Sequence, residues 1–261
     1  MKIKAIKGIV AIAILALMSF KLIQQNNIKV YLVGDSTMAN KQVKTYPETG
    51  WGMPFSWFFD QTVTVDNRAQ NGRSTKSFIA EKRWDDVEKN LKEGDYVFVQ
   101  FGHNDEVPTK KTYTPEDEFK ANLVKFITET RNKKAIPVLL TPVARRKFDA
   151  SGNVQGTHDV YSALVRQVAA DQNVPLIDLD KEGQALLQKY GIENSEMLYN
   201  HLAPGENPNY PDGKQDDTHF NELGARKVAQ IVLADVKALK LELADRIVKG
   251  TNAPTVAPAA K

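Results

Sequence analysis

The sequence contains no cysteine among its 261 residues. Disulfide frameworks, thiolate metal sites and cysteine nucleophiles are therefore excluded together, although this absence does not decide the cellular compartment. A glycine-rich phosphate-binding loop, a dinucleotide-binding fingerprint and the His-Glu-x-x-His helix of zinc hydrolases are also missing. The chain thus carries no sequence sign of a nucleotide or of a catalytic zinc ion.

Acidic residues are absent from residues 1–21, which contain four lysines: Lys2, Lys4, Lys7 and Lys21. The formal net charge of +3 falls to −1 when those four lysines are set aside. The positive charge therefore belongs to the amino terminus and gives no argument for nucleic acid or for a polyanionic substrate. We expect no nucleic-acid partner.

Residues 1–27 combine a basic start, an apolar run over residues 8–18 and a polar exit, which is the pattern of a secretory signal. The run is short for a membrane span, which needs about 20 residues. Met18 and Leu17 precede Ser19, so a small-x-small cleavage site is missing and an uncleaved N-terminal anchor is the alternative. In both cases we expect the catalytic body to lie outside the cytoplasm, either in the periplasm or secreted. We expect contact with a membrane only through this segment, and only if it stays uncleaved.

The rest of the chain suits one sizeable domain over residues 28–250, expected as a monomer, followed by a Pro- and Ala-rich disordered tail over 251–261. Short apolar runs alternate with longer amphipathic stretches, as βα units on a parallel sheet do. The predicted strands are residues 28–33, 62–66, 96–101, 136–141 and 174–178.

Helices are predicted between and after these strands. Residues 76–90 form a polar and weakly periodic region. Thr114-Pro115-Glu116-Asp117 has the cap residue, proline and acid that mark a helix start. Helical spacing of apolar residues follows this start and recurs after Thr157. Residues 221–249 are predicted as one long helix that stops at Gly250.

Gly34-Asp35-Ser36-Thr37 directly follows the first predicted strand, where a tight turn would present the Ser36 hydroxyl at the carboxyl edge of the sheet. Ordinary turn composition explains this tetrapeptide equally well. Gly72 and Asn104 lie in short polar stretches after the second and third strands. Because parallel strands end side by side, Ser36, Gly72 and Asn104 are expected to converge at one edge.

Asp216-Asp217-Thr218-His219 precedes the last predicted helix. A carboxylate at Asp216 can hold the Nδ1–H of His219 and leave Nε2 to take the Ser36 proton. A capped helix start with a solvated imidazole is the other interpretation of this motif. A metal site that includes His201 is a further alternative, but we expect no metal, because Asp216 and His219 already have a coherent role.

The developing negative charge in ester hydrolysis requires preorganised hydrogen-bond donors. The backbone N–H groups of Ser36 and Gly72 and the side-chain amide of Asn104 are the candidate donors. A Gly-x-Ser-x-Gly elbow does not surround Ser36, since position 38 is Met, and this disfavours the α/β-hydrolase fold.

Four blocks of the sequence match, in order, those of the SGNH (GDSL-type) hydrolases. The blocks are Gly34-Asp35-Ser36, Gly72, Gly102-x-Asn104 and Asp216-x-x-His219, and they span nearly the whole body. The resemblance implies a flavodoxin-like three-layer α/β/α sandwich with a five-stranded parallel sheet, without metal or cofactor. It also implies roles for five residues: Ser36 as nucleophile, His219 as base, Asp216 as its orienter, and Ser36, Gly72 and Asn104 as the oxyanion hole.

Longer stretches resemble the rhamnogalacturonan acetylesterase branch of these hydrolases. They are Gly34-Asp35-Ser36-Thr37-Met38-Ala39, Thr49-Gly50-Trp51-Gly52, the residues 71–78, the residues 100–105, and Tyr210-Pro211-Asp212-Gly213 leading into the residues 217–221. This resemblance implies a serine esterase that removes O-acetyl groups from a plant cell-wall polysaccharide. An acetylxylan esterase or other short-chain esterase or lipase is one alternative, and a catalytically silent carbohydrate-binding protein on the same fold is another.

Several aromatic residues are candidates for the remainder of the site. Trp51, between two glycines, is predicted as a wall of the site where an indole stacks on sugar, whereas Trp57 is assigned to the core. His201 is interpreted as a substrate contact, with a loop residue as the alternative. His103 is predicted to make structural hydrogen bonds, and His158, at a helix start, to lie on the surface.

Overall fold

A parallel five-stranded sheet forms the centre of the protein in the computed structural model, which describes residues 27–249. The strands are β1 (Ile28–Gly34), β2 (Val63–Asn67), β3 (Tyr96–Gln100), β4 (Ile136–Leu140) and β5 (Leu176–Ile177). Their order is β2-β1-β3-β4-β5, and every neighbouring pair is parallel. All five predicted strands are confirmed, the first four to within one residue at each end.

Helices cover both faces of the sheet. They are α1 (Gly52–Phe55), α2 (Thr75–Ala80), α3 (Arg83–Asn90), α4 (Glu116–Asn132), α5 (Asp159–Asp171), α6 (Leu179–Ser195) and α7 (Glu222–Ala238), with 3₁₀ helices at Val43–Thr45, Ser56–Phe58, Glu196–Leu198 and Glu242–Arg246. Successive side chains of a strand point to opposite faces. Val30 and Leu32 accordingly pack with α1, α6 and α7, while Tyr31 and Val33 pack with α2 to α5.

This strand order and the two helical layers make the flavodoxin-like α/β/α sandwich. The order places β1 between β2 and β3, so the loops that follow β2 and β3 lie on either side of the turn that follows β1. No helix in the range 27–249 has both the length and the apolar character needed to cross a membrane. Residues 1–26 of the predicted N-terminal signal or anchor (residues 1–27), the Gly250 stop and the tail lie outside the described residues.

Three helix predictions need correction. Residues 76–90 form two helices, because Lys82 takes a left-handed conformation (φ 56°) between α2 and α3. Thr114 does not cap α4, since its hydroxyl donates to the carbonyl of Thr112 and Pro115 occupies the cap position. The last helix ends at Ala238, eleven residues before the predicted end.

The early end of α7 has a clear local cause. Lys240 is left-handed (φ 53°) and its N–H donates to the carbonyl of Lys237, while the N–H of Leu241 donates to the carbonyl of Val236. These two bonds make a Schellman motif, in which glycine is the usual left-handed residue. Because a lysine occupies this left-handed position, the sequence offers no glycine to mark the end of α7.

Candidate active site

The turn that carries Ser36 is built by its neighbour Asp35. The Oδ1 atom of Asp35 accepts hydrogen bonds from the N–H and the hydroxyl of Thr37, at 3.0 and 2.9 Å. The carbonyl of Asp35 accepts from the N–H groups of Met38 and Ala39. Burial raises the pKa of the Asp35 carboxyl, and the bonds from Thr37 oppose that rise. Asp35 therefore shapes the turn, and the half-buried Ser36 hydroxyl takes no part in the turn's hydrogen bonds.

The hydroxyl of Ser36 lies 2.9 Å from Nε2 of His219, and Nδ1 of the same ring lies 2.9 Å from Oδ2 of Asp216. The other carboxylate oxygen of Asp216 accepts the backbone N–H groups of Thr218 and His219, each at 2.9 Å. A carboxylate held on both oxygens fixes the imidazole and directs its free nitrogen at the serine. The structure thus brings together the three residues that the sequence pattern selected.

Asp216 is held in its charged form. Burial alone would raise the pKa of this carboxyl, but the hydrogen bonds and positive charge of His219 and the backbone bonds from His219 and Thr218 hold the pKa well below its usual range. Lys214 adds an ammonium group 3.7 Å from Oδ2. Asp216 therefore stays ionised throughout the pH range in which an imidazole works as a base.

Gly72 and Asn104 approach the Ser36 turn from the two neighbouring loops. Gly72 is left-handed (φ 76°), a conformation that strains other residues. The N–H of Gln70 donates to the carbonyl of Gly34 at 2.9 Å and fixes this loop beside β1. Among the described residues, neither the N–H of Ser36 nor that of Gly72 donates to a protein acceptor.

The side chain of Asn104 is anchored at both ends of its amide. Its Nδ2 donates to the carbonyl of Arg73 at 3.0 Å, and its Oδ1 accepts from the ammonium group of Lys110 at 3.1 Å. These bonds fix which end of the amide is the nitrogen. Because Nδ2 carries two hydrogens, one remains after the bond to Arg73. Asn104 can therefore offer a donor beside the Ser36 turn.

We expect Asn104→Ala to lower kcat for a small acetate ester by about 10²–10³-fold with little change in KM, because one oxyanion donor is lost. The measurement is steady-state kinetics with p-nitrophenyl acetate. Asn90→Ala is the control, since the exposed Asn90 amide donates to the carbonyl of Asp86 within α3. An Asn104→Ala enzyme with wild-type kcat would remove Asn104 from the oxyanion hole.

Asp105 is a structural residue that the sequence pattern left without a role. Its buried carboxylate accepts the N–H and the hydroxyl of Thr75 at 2.8 and 2.6 Å, which joins the loop after β3 to the start of α2. Burial raises the pKa of Asp105 to about 7, against the hydrogen bonds from Thr75. Asp105 therefore fixes the loop of Asn104 relative to that of Gly72. In the sequence, this role is indicated by the position of Asp105 directly after Asn104.

The prediction that Trp51 forms a wall of the site is wrong. Trp51 is wholly buried, and its Nε1 donates to Oε1 of Gln100 at 2.6 Å. A Cβ atom on Gly50 would collide with the carbonyl oxygen of Ala39, so the flanking glycine serves close packing against the Ser36 turn. Nε2 of Gln100 in turn donates to the hydroxyl of Thr37 at 2.6 Å. Trp51 thus supports the Ser36 turn through Gln100, which binds Thr37.

The assignment of Trp57 to the core is also wrong, because 69 % of its surface is exposed. Trp57 belongs to a 3₁₀ helix at Ser56–Phe58, and the aromatic side chains in and beside this helix are buried to different extents. Phe55 and Phe59 take the buried positions and pack edge-on against each other. Four aromatic residues within five positions cannot all reach the core, and the sequence does not say which one is left outside.

The buried histidines differ from the predictions as well. His158 is buried, with Nδ1 at 2.9 Å from the carboxylate of Glu106. His103 packs edge-on against His158, with 4.2 Å between ring centroids and 66° between ring planes. Neither ring nitrogen of His103 is hydrogen-bonded within the described chain, which corrects the prediction of structural hydrogen bonds. Burial, followed by the charge of His158, holds the pKa of His103 well below its usual value.

His201 lies beside the second acid of the Asp216 loop. Its Nε2 is 2.9 Å from Oδ1 of Asp217, which is also bound by Arg146 at 3.0 Å. Asp217 is half exposed and turned away from His219. The structure therefore separates the two neighbouring aspartates: Asp216 pairs with His219, and Asp217 pairs with His201 and Arg146. Within residues 27–249 no group of three or more His, Asp or Glu side chains is arranged to hold a metal ion.

Comparison with known proteins identifies the family. The model of the GDSL-like lipase/acylhydrolase family matches residues 32–227, from β1 into α7. The chain belongs to this family. As a GDSL hydrolase it is a carboxylic ester hydrolase, and the matched range contains Ser36, Gly72, Asn104, Asp216 and His219.

Individual members of the GDSL family resemble the chain over most of its length. The rhamnogalacturonan acetylesterase RhgT of Bacillus subtilis is 39 % identical over 221 residues, which are 85 % of this chain and 94 % of that protein. The crystal structure of YxiM from Bacillus subtilis is 28 % identical, with a TM-score of 0.72 over 83 % of this chain and 58 % of that one. The acetyl xylan esterase AlAXEase is 26 % identical, with a TM-score of 0.58 over 80 % of this chain and all of its own.

Proposed function

We propose that this GDSL hydrolase is a serine esterase that removes O-acetyl groups from acetylated rhamnogalacturonan or its oligosaccharides. The observation that carries the proposal is the hydrogen-bonded series Ser36–His219–Asp216 at the carboxyl edge of the sheet. The similarity to RhgT, a rhamnogalacturonan acetylesterase, supports the choice of substrate. A polysaccharide substrate agrees with the location outside the cytoplasm that residues 1–27 lead us to expect.

In the proposed mechanism, the Ser36 hydroxyl attacks the acetyl carbonyl carbon while Nε2 of His219 takes the hydroxyl proton. Asp216 holds Nδ1–H and stabilises the imidazolium that forms. The N–H groups of Ser36 and Gly72 and the Nδ2–H of Asn104 hold the oxyanion.

His219 then donates its proton to the sugar oxygen, which leaves as the free hydroxyl. The acetyl group stays on Ser36 as an ester. A water molecule deprotonated by His219 attacks this acetyl-enzyme, acetate is released, and the Ser36 hydroxyl is restored. The two halves of the reaction use the same residues in the same positions.

The substrate is tested by measuring acetate release from acetylated rhamnogalacturonan, homogalacturonan and xylan at equal ester concentration. We expect kcat/KM to be highest on rhamnogalacturonan, and acetate esters of p-nitrophenol to be cleaved in strong preference to butyrate and longer esters. Activity on xylan alone would overturn the substrate and leave the mechanism in place. Preference for long acyl chains would indicate a lipase instead.

Acetylated xylan is the second candidate substrate. It is favoured by the similarity to the acetyl xylan esterase AlAXEase, which matches 80 % of this chain. Xylan has a neutral backbone, whereas rhamnogalacturonan carries a carboxylate on alternate sugars. The charged groups around the site therefore bear on the choice between the two polymers.

A further inference from the structure

Arg145 lies in the segment that follows β4, at the same edge of the sheet as the candidate active site. Strand β4 is the direct neighbour of β3 in the sheet. Loops that follow neighbouring parallel strands lie side by side at the carboxyl edge. The segment of Arg145 therefore runs beside the loop that carries Asn104, although the proposed mechanism gives it no role.

The first contact of Arg145 is with the loop that carries the base. Its Nη1 donates to the hydroxyl of Thr218 at 3.2 Å, and Thr218 directly precedes His219. The N–H of the next residue, Arg146, donates to the carbonyl of Asp217 at 2.9 Å. One side-chain bond and one backbone bond thus attach the loop of His219 to the segment after β4.

The second contact of Arg145 is with the loop that carries Asn104. Its Nη2 lies 3.6 Å from Oε1 of Glu106 in a salt bridge. The N–H of Glu106 donates to the carbonyl of Gly102 at 3.0 Å, and this bond closes the turn in which Asn104 lies. One guanidinium therefore contacts the loop of the oxyanion donor and the loop of the base.

Both partners of this salt bridge are held by the residues before α5. Nδ1 of the buried His158 lies 2.9 Å from each carboxylate oxygen of Glu106. The N–H of Arg145 donates to the hydroxyl of Thr157 at 3.1 Å. The side chains of Arg145 and Glu106 are 33 % and 19 % exposed. An ion pair within such a network keeps a defined geometry, which an isolated surface pair does not.

The geometry that these contacts fix is the one on which ester hydrolysis depends. The acetyl oxygen must reach Asn104 while the Ser36 hydroxyl is bonded to His219. A displacement of about 1 Å between reacting groups can lower a rate by about 10²-fold. A guanidinium presents its donors in a rigid planar fork, whereas an ammonium group is a single point on a flexible stem. Arginine therefore suits a role in which two acceptors on different loops are held at one separation.

We propose that Arg145 is a positioning residue that holds the oxyanion donor Asn104 and the base His219 at the separation required by the reaction. It acts through Glu106 and Thr218 and takes no part in the bond-making steps. This inference rests on the roles that the proposed function gives to Asn104 and His219. It adds the residue that couples them.

The kinetic test compares Arg145→Met with Arg131→Met. Arg131 is an exposed arginine near the end of α4 that binds the carbonyls of Gln172 and Asn173, at the opposite edge of the sheet. We expect kcat for p-nitrophenyl acetate to fall about 10–100-fold in Arg145→Met with KM unchanged, and to stay at the wild-type value in Arg131→Met. An unchanged kcat in Arg145→Met would overturn the inference. A raised KM at constant kcat would also overturn it, because Arg145 would then bind substrate.

A double-mutant cycle tests whether Arg145 acts through Thr218. Thr218→Val removes the hydroxyl that accepts from Arg145 and keeps the shape of the side chain. We expect Thr218→Val to lower kcat, and the double variant to be no slower than Arg145→Met, because residues that act through one contact are not additive. Losses that multiply in the double variant would overturn the inference.

Arg145→Lys separates geometry from charge. Lysine keeps the positive charge and lacks the planar fork, so we expect its kcat to stay close to that of Arg145→Met. Recovery of the wild-type kcat in Arg145→Lys would show that a cation alone is needed, and this would overturn the positioning role.

This inference and the proposed function fail in distinguishable ways. The test substrate contains no sugar, so a failure to release acetate from rhamnogalacturonan would overturn the proposed substrate and leave the expected results for Arg145 unchanged. Wild-type kcat in Arg145→Met beside a slow Asn104→Ala would overturn the positioning role and leave the proposed function in place. Wild-type kcat in Asn104→Ala would overturn both the oxyanion role of Asn104 and the coupling proposed for Arg145.

Discussion

Ser36→Ala is expected to lower kcat for p-nitrophenyl acetate by about 10⁵–10⁶-fold, the scale seen when the serine of a catalytic triad is removed. The Ser36 hydroxyl bonds only to Nε2 of His219 among the described residues, so its loss removes the nucleophile and no structural contact. Circular dichroism and the thermal midpoint should match the wild type. The rate measurement is an initial-rate assay at saturating ester.

The matched control is Ser151→Ala, at an exposed turn residue whose backbone N–H, not its hydroxyl, makes the hydrogen bond to Asp149. That variant should keep the wild-type rate. A fluorophosphonate should label the wild type and Ser151→Ala covalently and leave Ser36→Ala unlabelled. Near wild-type activity in Ser36→Ala would remove Ser36 from the mechanism. Absence of both labelling and activity in the wild type would favour the silent carbohydrate-binding protein.

Asp216→Asn is expected to lower kcat by about 10³–10⁴-fold, because an amide nitrogen can replace the oxygen that accepts from Nδ1 of His219 and stabilise the wrong tautomer. The two backbone N–H bonds to Asp216 can persist on the remaining oxygen, so the loop should keep its shape. The measurement is kcat for p-nitrophenyl acetate together with its pH profile.

Asp217→Asn is the matched control for Asp216→Asn. Asp217 is half exposed and binds Arg146 and His201 rather than His219. Exposed ion pairs contribute about 0–1 kcal/mol, so we expect a loss of less than tenfold in kcat and a small fall in stability. A larger loss in Asp217→Asn than in Asp216→Asn would mean that the orienting carboxylate is the other member of the pair.

Much of the fold and of the candidate site could be predicted because both depend on where strands end. Apolar runs marked β1 to β4 to within one residue, and parallel pairing then placed Ser36, Gly72 and Asn104 at one edge. The choice of Asp216 over its neighbour followed from the three-residue spacing to His219, and the structure places the side chains as that spacing requires.

Other features depend on contacts between distant segments, which local patterns do not encode. Trp51 is buried and Trp57 is exposed, the reverse of what the sequence predicts. For Trp51 the reason is that a neighbouring glycine indicates close packing as readily as an exposed side chain at the site. The end of α7 was missed because Lys240 takes a conformation that usually marks glycine. His158 is buried because Glu106, 52 residues earlier, meets its ring.

Ser36 and His219 are 183 residues apart in the chain, and this separation orders the events of protein synthesis. Ser36 is made early, and all five strands are complete before Asp216 and His219 are added. A serine hydroxyl without its base is a weak nucleophile. In the proposed mechanism, Ser36 therefore gains its base only when the segment before α7 docks against the sheet edge.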